Sequence, residues 1–590
     1  MCGIAGYLGF RNAGDVVISA LKRLEYRGYD SWGIAVKDGN ELRVFKKVGA
    51  IGDAESYEMA GSMGIGHTRW ATHGKPSESN AHPHVDCRSM IAVVHNGIIS
   101  NFQSLREDLE KRGHEFTSET DTEVIAHLIE EEYDGNLVRA VERSVKRLKG
   151  SYAIVTLHAE TEELVAVRYK SPLVLGVGDG EWIIASDVPA ILDYTNRVIY
   201  LEDGDMVVVR RNGFEIWNSG RRVQKGVETI PWSIEDAEKG GYEHFMLKEI
   251  HETPGVIEDT LFEYLSEEIE IDASFSAGVS EVIFIACGTS YHASLIGKHL
   301  IEELSGIPVR VEFASEFIYH HSAMHRALAI AITQSGETAD TLEAMRIAKR
   351  LGARILAVVN VLGSTATRIA DYVLYTRAGP EISVAATKSF IAQLVVLYLL
   401  AFRLSAKPKS EIEKLVDELR MMPELVKRVL EREEEIRAVA EELAGYENMM
   451  YIGRGIGVPI AMEGALKMKE ISYIHAEAYP AGELKHGPFA LLGERTPVIA
   501  SVIPDGTYEI MLNNIKEVKA RESIVVAVAE DSDAEVEKYV DYTIRVPASE
   551  SIFTAITHSV ALQLLAYHTA RARGCEIDRP RNLAKSVTVE

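Results

Sequence analysis

Thr387–Tyr398 reads TKSFIAQLVVLY, and Thr557–His568 reads THSVALQLLAYH. Threonine, serine, glutamine and leucine fall in register between the two. The agreement continues upstream, where IFIACG from Ile283 is matched by MYIGRG from Met450. LAIAITQSG from Leu328 is echoed at a similar spacing by PVIASVIPDG from Pro497. Both copies alternate strand, loop and helix, the rhythm of a doubly wound parallel sheet. The second half therefore reads as one α/β unit used twice, over 242–409 and 444–578. Between the copies, 410–443 is charged and heptad-like, which predicts a pair of connecting helices acting as a solvated spacer. A mildly polar tail, 579–590, comes after the second copy.

Upstream the rhythm is different. Residues 1–220 hold many short β-like runs, among them GIAGYLG, MIAVVHNGII, SYAIVTLHA and DMVVVRR. Helical stretches interrupt them near Val16–Leu24 and Thr122–Glu132. Many strands with few helices predict stacked antiparallel sheets carrying helices, an α+β layered domain. The stretch 221–241 is charged, glycine-containing and without period, and reads as a linker.

Bulk composition narrows the function. The chain has 590 residues, 46% hydrophobic and 26% charged, too many for one core. Its formal net charge of −25 excludes a general binder of nucleic acid or of anionic membrane, which needs a basic face. The longest mainly apolar run, Ile391–Phe402, is too short to span a bilayer and reads as a buried helix. Cys2, Cys87, Cys287 and Cys575 are far apart with no C-x-x-C pair, so neither a disulfide framework nor a zinc site is expected. No basic-then-apolar leader opens the sequence, and a reducing cytoplasm is the expected compartment.

The loops of the first copy are rich in hydroxyls. EVIFIACGTSYHAS passes from a strand through Gly288, Thr289 and Ser290 into a helix. LAIAITQSGETADT does the same through Thr333, Gln334, Ser335, Gly336, Glu337 and Thr338. Hydroxyls and amides at a helix start, beyond the strand ends, suit a phosphate. Ordinary capping explains either loop alone; two in one unit favour the anion site. The second copy has GRGIG and PDG there, nearly without hydroxyls, so one anion site is expected. It carries titratable groups instead: Lys467, Glu470, His475, Glu477, Glu483, Lys485 and His486 within one helix and loop. Lys467 and Glu470 share a helix face, as an ion pair or as chemistry. His486 falls on a loop bounded by glycine and proline. Lys585 in the tail is an amine able to form an imine.

At the other end, MCGIAGY puts Cys2 directly behind Met1. A small buried hydrophobe is one reading. The other is that loss of Met1 leaves a thiol and a free α-amino group on one residue. That amine has a pKa of about 7.7–8.0 and works as a base near neutrality. In NAHPH, His82 and His84 are too few to ligate a metal. TDTE at Thr120 fits a helix capping box, in which Asp121 has no further task.

Taken together, MCGI, RLEYRGYDS, HTRWATHG, NAHPH, HNGII, SETDTEV, ACGTSY, QSGETADT, KEISYIHAEAY, GELKHGP and PRNLAKSVTVE resemble the isomerizing glutamine–fructose-6-phosphate aminotransferases. The resemblance spans essentially the whole chain. The first part is similar to N-terminal-nucleophile class II glutamine amidotransferases, with an αββα fold, and the second to tandem sugar isomerase (SIS) domains. The family resemblance in turn implies a role for each site residue. By it, Cys2 is the nucleophile on the L-glutamine amide, and Asn96 and Gly97 form the oxyanion hole. Arg69 holds the glutamine α-carboxylate and Asp121 its α-ammonium, with Thr72, His73 and His82 lining the pocket. Thr289, Ser290, Thr333, Gln334, Ser335, Thr338 and Val384 bind D-fructose 6-phosphate. Lys585 forms the imine, His486 assists ring opening, Glu470 moves the proton between C1 and C2, and Lys467 stabilises charge. Trp70 gates a path for ammonia. No metal or organic cofactor is expected, and a homodimer is implied. Thr333, Ala386, Trp32 and Pro480 depart from the family pattern without removing a catalytic group. A SIS-domain sugar-phosphate sensor, or an amidotransferase with another acceptor, are the alternatives.

Overall fold

The computed structural model describes residues 2–52, 59–70, 74–230, 239–265, 273–321 and 324–587. The chain forms two compact units, 1–237 together with 584–590, and 238–583.

The first unit contains an eight-stranded and a seven-stranded sheet, both antiparallel. Gly3–Leu8 lies inside the larger one, between Trp182–Ala185 and Met63–Arg69. Ile91–Ile99 pairs with Gly150–His158 in the other. Successive strand side chains point to opposite faces, and the alternation sorts the core. Ile4, Leu8, Met63 and Ile65 from one sheet meet Ala92, Val94, Ala153 and Val155 from the other in a shared inner layer. Ala5 and Tyr7, on the opposite face, pack with Val17, Ala20 and Leu21 of the helix Ala13–Arg23. Val93 and Ile154 pack outward against Val124, Leu128 and Val141. The layers are thus helix, sheet, sheet, helix, the expected αββα arrangement.

Two helices of this unit, Phe102–Lys111 and Leu137–Val145, escape the sequence reading. The first buries only Leu105 and Leu109 among ten residues, too sparse a stripe to stand out. The stretch read as a linker contributes two short edge strands, Arg221–Val223 and Glu228–Thr229; its residues 231–238 lie outside those described.

In the second unit, two five-stranded sheets have the same parallel order. Val309–Phe313, Glu281–Ala286, Ala327–Thr333, Arg354–Val359 and Tyr372–Tyr375 form one. His475–Pro480, Asn448–Gly453, Val498–Ser501, Val525–Glu530 and Tyr542–Val546 form the other. Each runs second, first, third, fourth, fifth, so the repeat seen in sequence is a repeat of topology. The quoted stretches become the helices Lys388–Leu404 and Thr554–Ala572, buried on every side from Lys388 to Phe402 and from Thr554 to Ala570. Helices buried on every side belong in a core, and one apolar cluster joins both copies.

The connector is two helices, Lys409–Leu430 and Glu433–Leu443, as expected, but not a solvated spacer. Leu419, Met422, Val426, Val429, Ile436 and Leu443 enter the common core. The heptad-like pattern is the seam by which these amphipathic helices pack.

Candidate functional site

In the first unit the polar residues continue the apolar inner layer. Counting in twos from Ile4 leads back to Cys2, from Ile65 on to His67 and Arg69, and from Val94 to Asn96. The Trp70 amide donates to Cys2 Sγ at 3.3 Å, and Cys2 Sγ lies 3.6 Å from the Trp70 carbonyl. Asn96 Nδ2 donates to the Cys2 carbonyl at 2.9 Å. Its Oδ1 lies 3.0 Å from His67 Nε2, which also sits 2.9 Å from the His95 carbonyl. Burial drives the His67 pKa down to about 3, so its ring is neutral at pH 7. An Nε2–H facing two oxygens then fixes which way the Asn96 amide points. No sequence motif singles out His67; its position in the Met63–Arg69 alternation is the signal that finds it.

Gly97 has φ +130°, and a Cβ there would lie 2.0 Å from the Ser151 carbonyl oxygen. Only glycine lets the two strands approach so closely beside the thiol. Although Cys2 as a residue is partly exposed, its thiol is enclosed, and burial pushes its pKa up, with the Trp70 amide and Arg69 opposing. Arg69 is buried and donates from Nη2 to the Gly74 carbonyl at 2.9 Å. Desolvation lowers it, while Cys2, Asp30 and Asp121 work the other way. Asp121 accepts the Ile99 amide at 2.8 Å.

The capping-box reading fails here. Thr122 is the N-cap of Glu123–Glu132 and makes no side-chain capping bond, and Thr120 bonds His84 Nε2 at 3.0 Å. Glu123 turns back to the Thr117 and Ser118 amides at 2.9 and 2.7 Å. His82 stacks on His67 with ring centroids 4.0 Å apart, and burial holds it neutral, well below the usual histidine range. Thr72 and His73 lie outside the described residues.

In the second unit, the hydroxyl-rich loops sit where strand order reverses. They come directly after Glu281–Ala286 and Ala327–Thr333, neighbours in the sheet, at the crevice where open α/β sheets take ligands. The helices starting there have Cys287 and Thr338 as N-caps, and neither makes a side-chain capping bond. None of these hydroxyls is therefore spent as an N-cap; their bonds run within the loops and to neighbouring helices. Thr333 Oγ1 accepts the Gly336 amide at 3.2 Å and lies 3.2 Å from Thr338 Oγ1. Ser335 Oγ accepts the Glu337 amide at 3.2 Å, and the Gln334 carbonyl accepts the Asn360 amide at 3.2 Å. Gly336 has φ +68°, with Ser364 Oγ 2.0 Å from where a Cβ would stand. Gln393, from the repeated stretch, donates to Ser290 Oγ at 3.1 Å.

The helices Gly288–Ser305 and Gly457–Ser472 then bring the two copies together. Lys467 Nζ donates to Thr289 Oγ1 at 3.0 Å and lies 2.6 Å from Glu470 and 3.5 Å from Glu463. Thr289 donates on to Glu463 at 3.1 Å, whose other oxygen lies 2.7 Å from His292 Nδ1. Burial alone would lower the Lys467 pKa, but the Glu470 and Glu463 carboxylates win and hold it above its usual value. Burial would raise Glu463; Lys467 and His292 hold it below the carboxylate range. Sequence motifs pass over Glu463 and His292, although the i, i+4 step from Glu463 to Lys467 marks one of them.

His486 ends the short 3-10 helix Ala481–His486, is exposed, and makes no hydrogen bond or ion pair with the Lys467 cluster. The Val384 amide donates to the Asp578 carbonyl at 3.0 Å. Lys585 is half-buried and belongs to the first unit. His475 pairs with Glu477 at 3.3 Å, and Lys485 with Glu517 at 2.7 Å, at the surface.

The SIS domain family matches residues 277–403 and 442–573, and the glutamine amidotransferase domain family matches 67–193. Glutamine–fructose-6-phosphate aminotransferases (isomerizing) of Thermococcus kodakarensis and Thermus thermophilus are each 50% identical to this chain over the full length of both. The C-terminal domain of glucosamine-fructose-6-phosphate aminotransferase from Francisella tularensis superposes with a TM-score of 0.56 at 36% identity, covering 58% of this chain and 99% of its own. With two-unit architecture, site geometry and full-length similarity in agreement, the chain belongs to the isomerizing glutamine–fructose-6-phosphate aminotransferase family.

Proposed function

We infer that this chain transfers the amide nitrogen of L-glutamine to D-fructose 6-phosphate, giving D-glucosamine 6-phosphate and L-glutamate. The observation that carries the reading is the presence in one chain of two unlike sites. One is an enclosed thiol beside an oriented asparagine amide; the other is a hydroxyl-rich loop pair meeting a buried lysine–carboxylate cluster.

On this reading Cys2, freed of Met1, attacks the glutamine side-chain carbonyl while its own α-amino group moves the proton. Asn96 Nδ2 and the Gly97 amide receive the developing oxyanion, where one such donor is worth about 3–4 kcal/mol. Arg69 takes the substrate carboxylate and Asp121 its ammonium, and Thr72, His73 and His82 complete the pocket. Ammonia leaves, the thioester is hydrolysed, and glutamate is released. In the second unit Thr289, Ser290, Thr333, Gln334, Ser335, Thr338 and Val384 hold the sugar phosphate. His486 opens the ring, Lys585 forms an imine at C2, and Glu470 carries the proton between C1 and C2. Lys467 keeps the carboxylates around it ionised and balances charge. Ammonia reaches the sugar through a path gated by Trp70. No step calls on a metal or organic cofactor.

The same reading divides the chain into a glutaminase domain at 1–220, a linker at 221–241, SIS domains at 242–409 and 444–578, a helical connector at 410–443 and a catalytic tail at 579–590. It takes the enzyme to be a cytoplasmic homodimer. Among the described residues no helix is long and apolar enough to cross a membrane. The test is a product assay with glutamine and fructose 6-phosphate, reading glutamate and amino sugar separately. Equal amounts of both are expected. Glutamate alone would point to a different acceptor, and neither product to a sugar-phosphate sensor.

A further inference from the structure

On the first unit, away from the thiol, four side chains converge. Cys87 comes just after the strand His84–Val85, His114 lies beyond the helix Phe102–Lys111, and His127 and Glu130 share one face of Glu123–Glu132. Cys87 Sγ is 3.6 Å from His114 Nδ1 and 3.5 Å from His127 Nδ1. Glu130 Oε2 is 3.1 Å from His114 Nδ1 and 3.4 Å from His127 Nδ1. All four atoms lie within 4.8 Å of one another. A tetrahedral zinc with S, N and O ligands has edges of about 3.3–3.6 Å between them.

Both histidines turn Nδ1 inward; His114 Nε2 bonds outward to a carboxylate, whereas the buried His127 Nε2 has no hydrogen-bond partner among the described residues. His114 Nε2 is 3.1 Å from Glu131 Oε2, and His127 Nε2 is 3.9 Å from Glu123 Oε1. With the His114 ring proton on its outer nitrogen, the His114 Nδ1 lone pair, His127 Nδ1, a carboxylate oxygen and a sulfur face one centre. The Cys87 amide also donates to Glu130 Oε2 at 3.1 Å, a bond a ligating carboxylate oxygen can keep, and the exposed Arg88 lies 4.0 Å from Oε1. A cation at the centre satisfies all four, and a carboxylate behind a ligating imidazole, as Glu131 stands behind His114, is the usual support for one.

We propose that Cys87, His114, His127 and Glu130 form a four-ligand zinc site in the first unit, separate from its chemistry. Thiolate, two imidazoles and one carboxylate favour zinc among abundant divalent ions, and four protein ligands leave no position for substrate. The ion ties three chain segments together and fixes the helix whose preceding residues include Asp121. Ligand spacing over 44 positions, from Cys87 to Glu130, matches no compact zinc motif, which is why cysteine spacing pointed away from one.

The test is elemental analysis of the full chain purified without chelator and dialysed, followed by cobalt(II) titration of chelator-treated protein. The expected result is about one zinc per chain, and on cobalt loading a thiolate-to-cobalt band with intense visible absorption. Cys87→Ser, at an exposed residue, should lose the zinc and the charge-transfer band while its far-ultraviolet dichroism stays unchanged. His114→Ala should also lose the zinc. Cys2→Ala, which removes the other thiol of this unit, should keep both. Zinc below a tenth of an equivalent after zinc titration overturns the proposal. So does zinc retained in both Cys87→Ser and His114→Ala, or lost only in Cys2→Ala.

Discussion

Lys467 has 1% of its side chain exposed, and a buried ammonium persists only if counter-charges surround it. Glu470 and Glu463 do so, which makes the charge a structural necessity. Lys467→Met strands Glu463, also 1% exposed, and should destabilise the second unit by about 3–5 kcal/mol in urea unfolding. The pH dependence has a definite sign. Glu463 is held below its ordinary range, so its contribution is present above that range and lost as pH falls. Lys467 is held above its ordinary 10.5, so its contribution is lost only as pH rises through that raised value. The gap between wild type and variant should therefore be widest near neutrality and narrow in acid; a gap constant from pH 7 to pH 3 contradicts the assignment. Gly97→Ala makes a sharper prediction, because its methyl would overlap the Ser151 carbonyl. It should abolish glutamate formation in the folded protein or prevent the first unit from folding, and a variant with normal glutaminase activity would refute the close approach. At this scale the sequence is legible where close positions share a helix face, as with Lys467 and Glu470. It is opaque where distant segments supply the partner, as His292 does for Glu463 and His67 for Asn96.

Among elements, Glu433 at the start of Glu433–Leu443 joins two other helices. Its carboxylate lies 2.7 Å from His251 Nε2 and 3.0 Å from His568 Nε2. Bonds from His251 and His568 draw its pKa from an ordinary 4.5 to about 2. Stability from this depression is complete above the ordinary value and disappears as pH falls from about 4.5 to about 2. Glu433→Gln should lower the thermal midpoint of the second unit at pH 6, with the deficit shrinking across that acid window. An equal deficit at pH 6 and pH 3 would show that the carboxylate is not the clamp. In the second unit the main elements are otherwise readable from period, whereas in the first Phe102–Lys111 and Leu137–Val145 are not. Strand–loop–helix alternation foretells the parallel sheets, and the hydroxyl loops lie at the point of strand reversal. What period cannot supply is the partner of an amphipathic face: the connector's apolar stripe reads alike whether it meets a core or a second helix.

For the whole molecule the central question is coupling. Ammonia set free near pH 7 takes up a proton and ceases to be a nucleophile, so one amino sugar per glutamate requires protected transfer. Cys2→Ala should lose glutamate formation and keep ketose–aldose isomerisation, because the two chemistries use different residues. If Trp70 gates the transfer, Trp70→Ala should retain both partial activities while amino sugar per glutamate falls well below one; a preserved ratio in a folded variant rules the gate out. Strand order carries a further consequence for the making of the protein. Gly3–Leu8 is translated before both of its neighbours, Met63–Arg69 and Trp182–Ala185. At ribosomal rates of about 5–20 residues per second, roughly 10–35 s pass between synthesis of the first strand and of its last partner. During that interval an apolar ribbon with one open edge waits on the nascent chain, and chaperone capture or slowed elongation there should govern the yield of soluble enzyme.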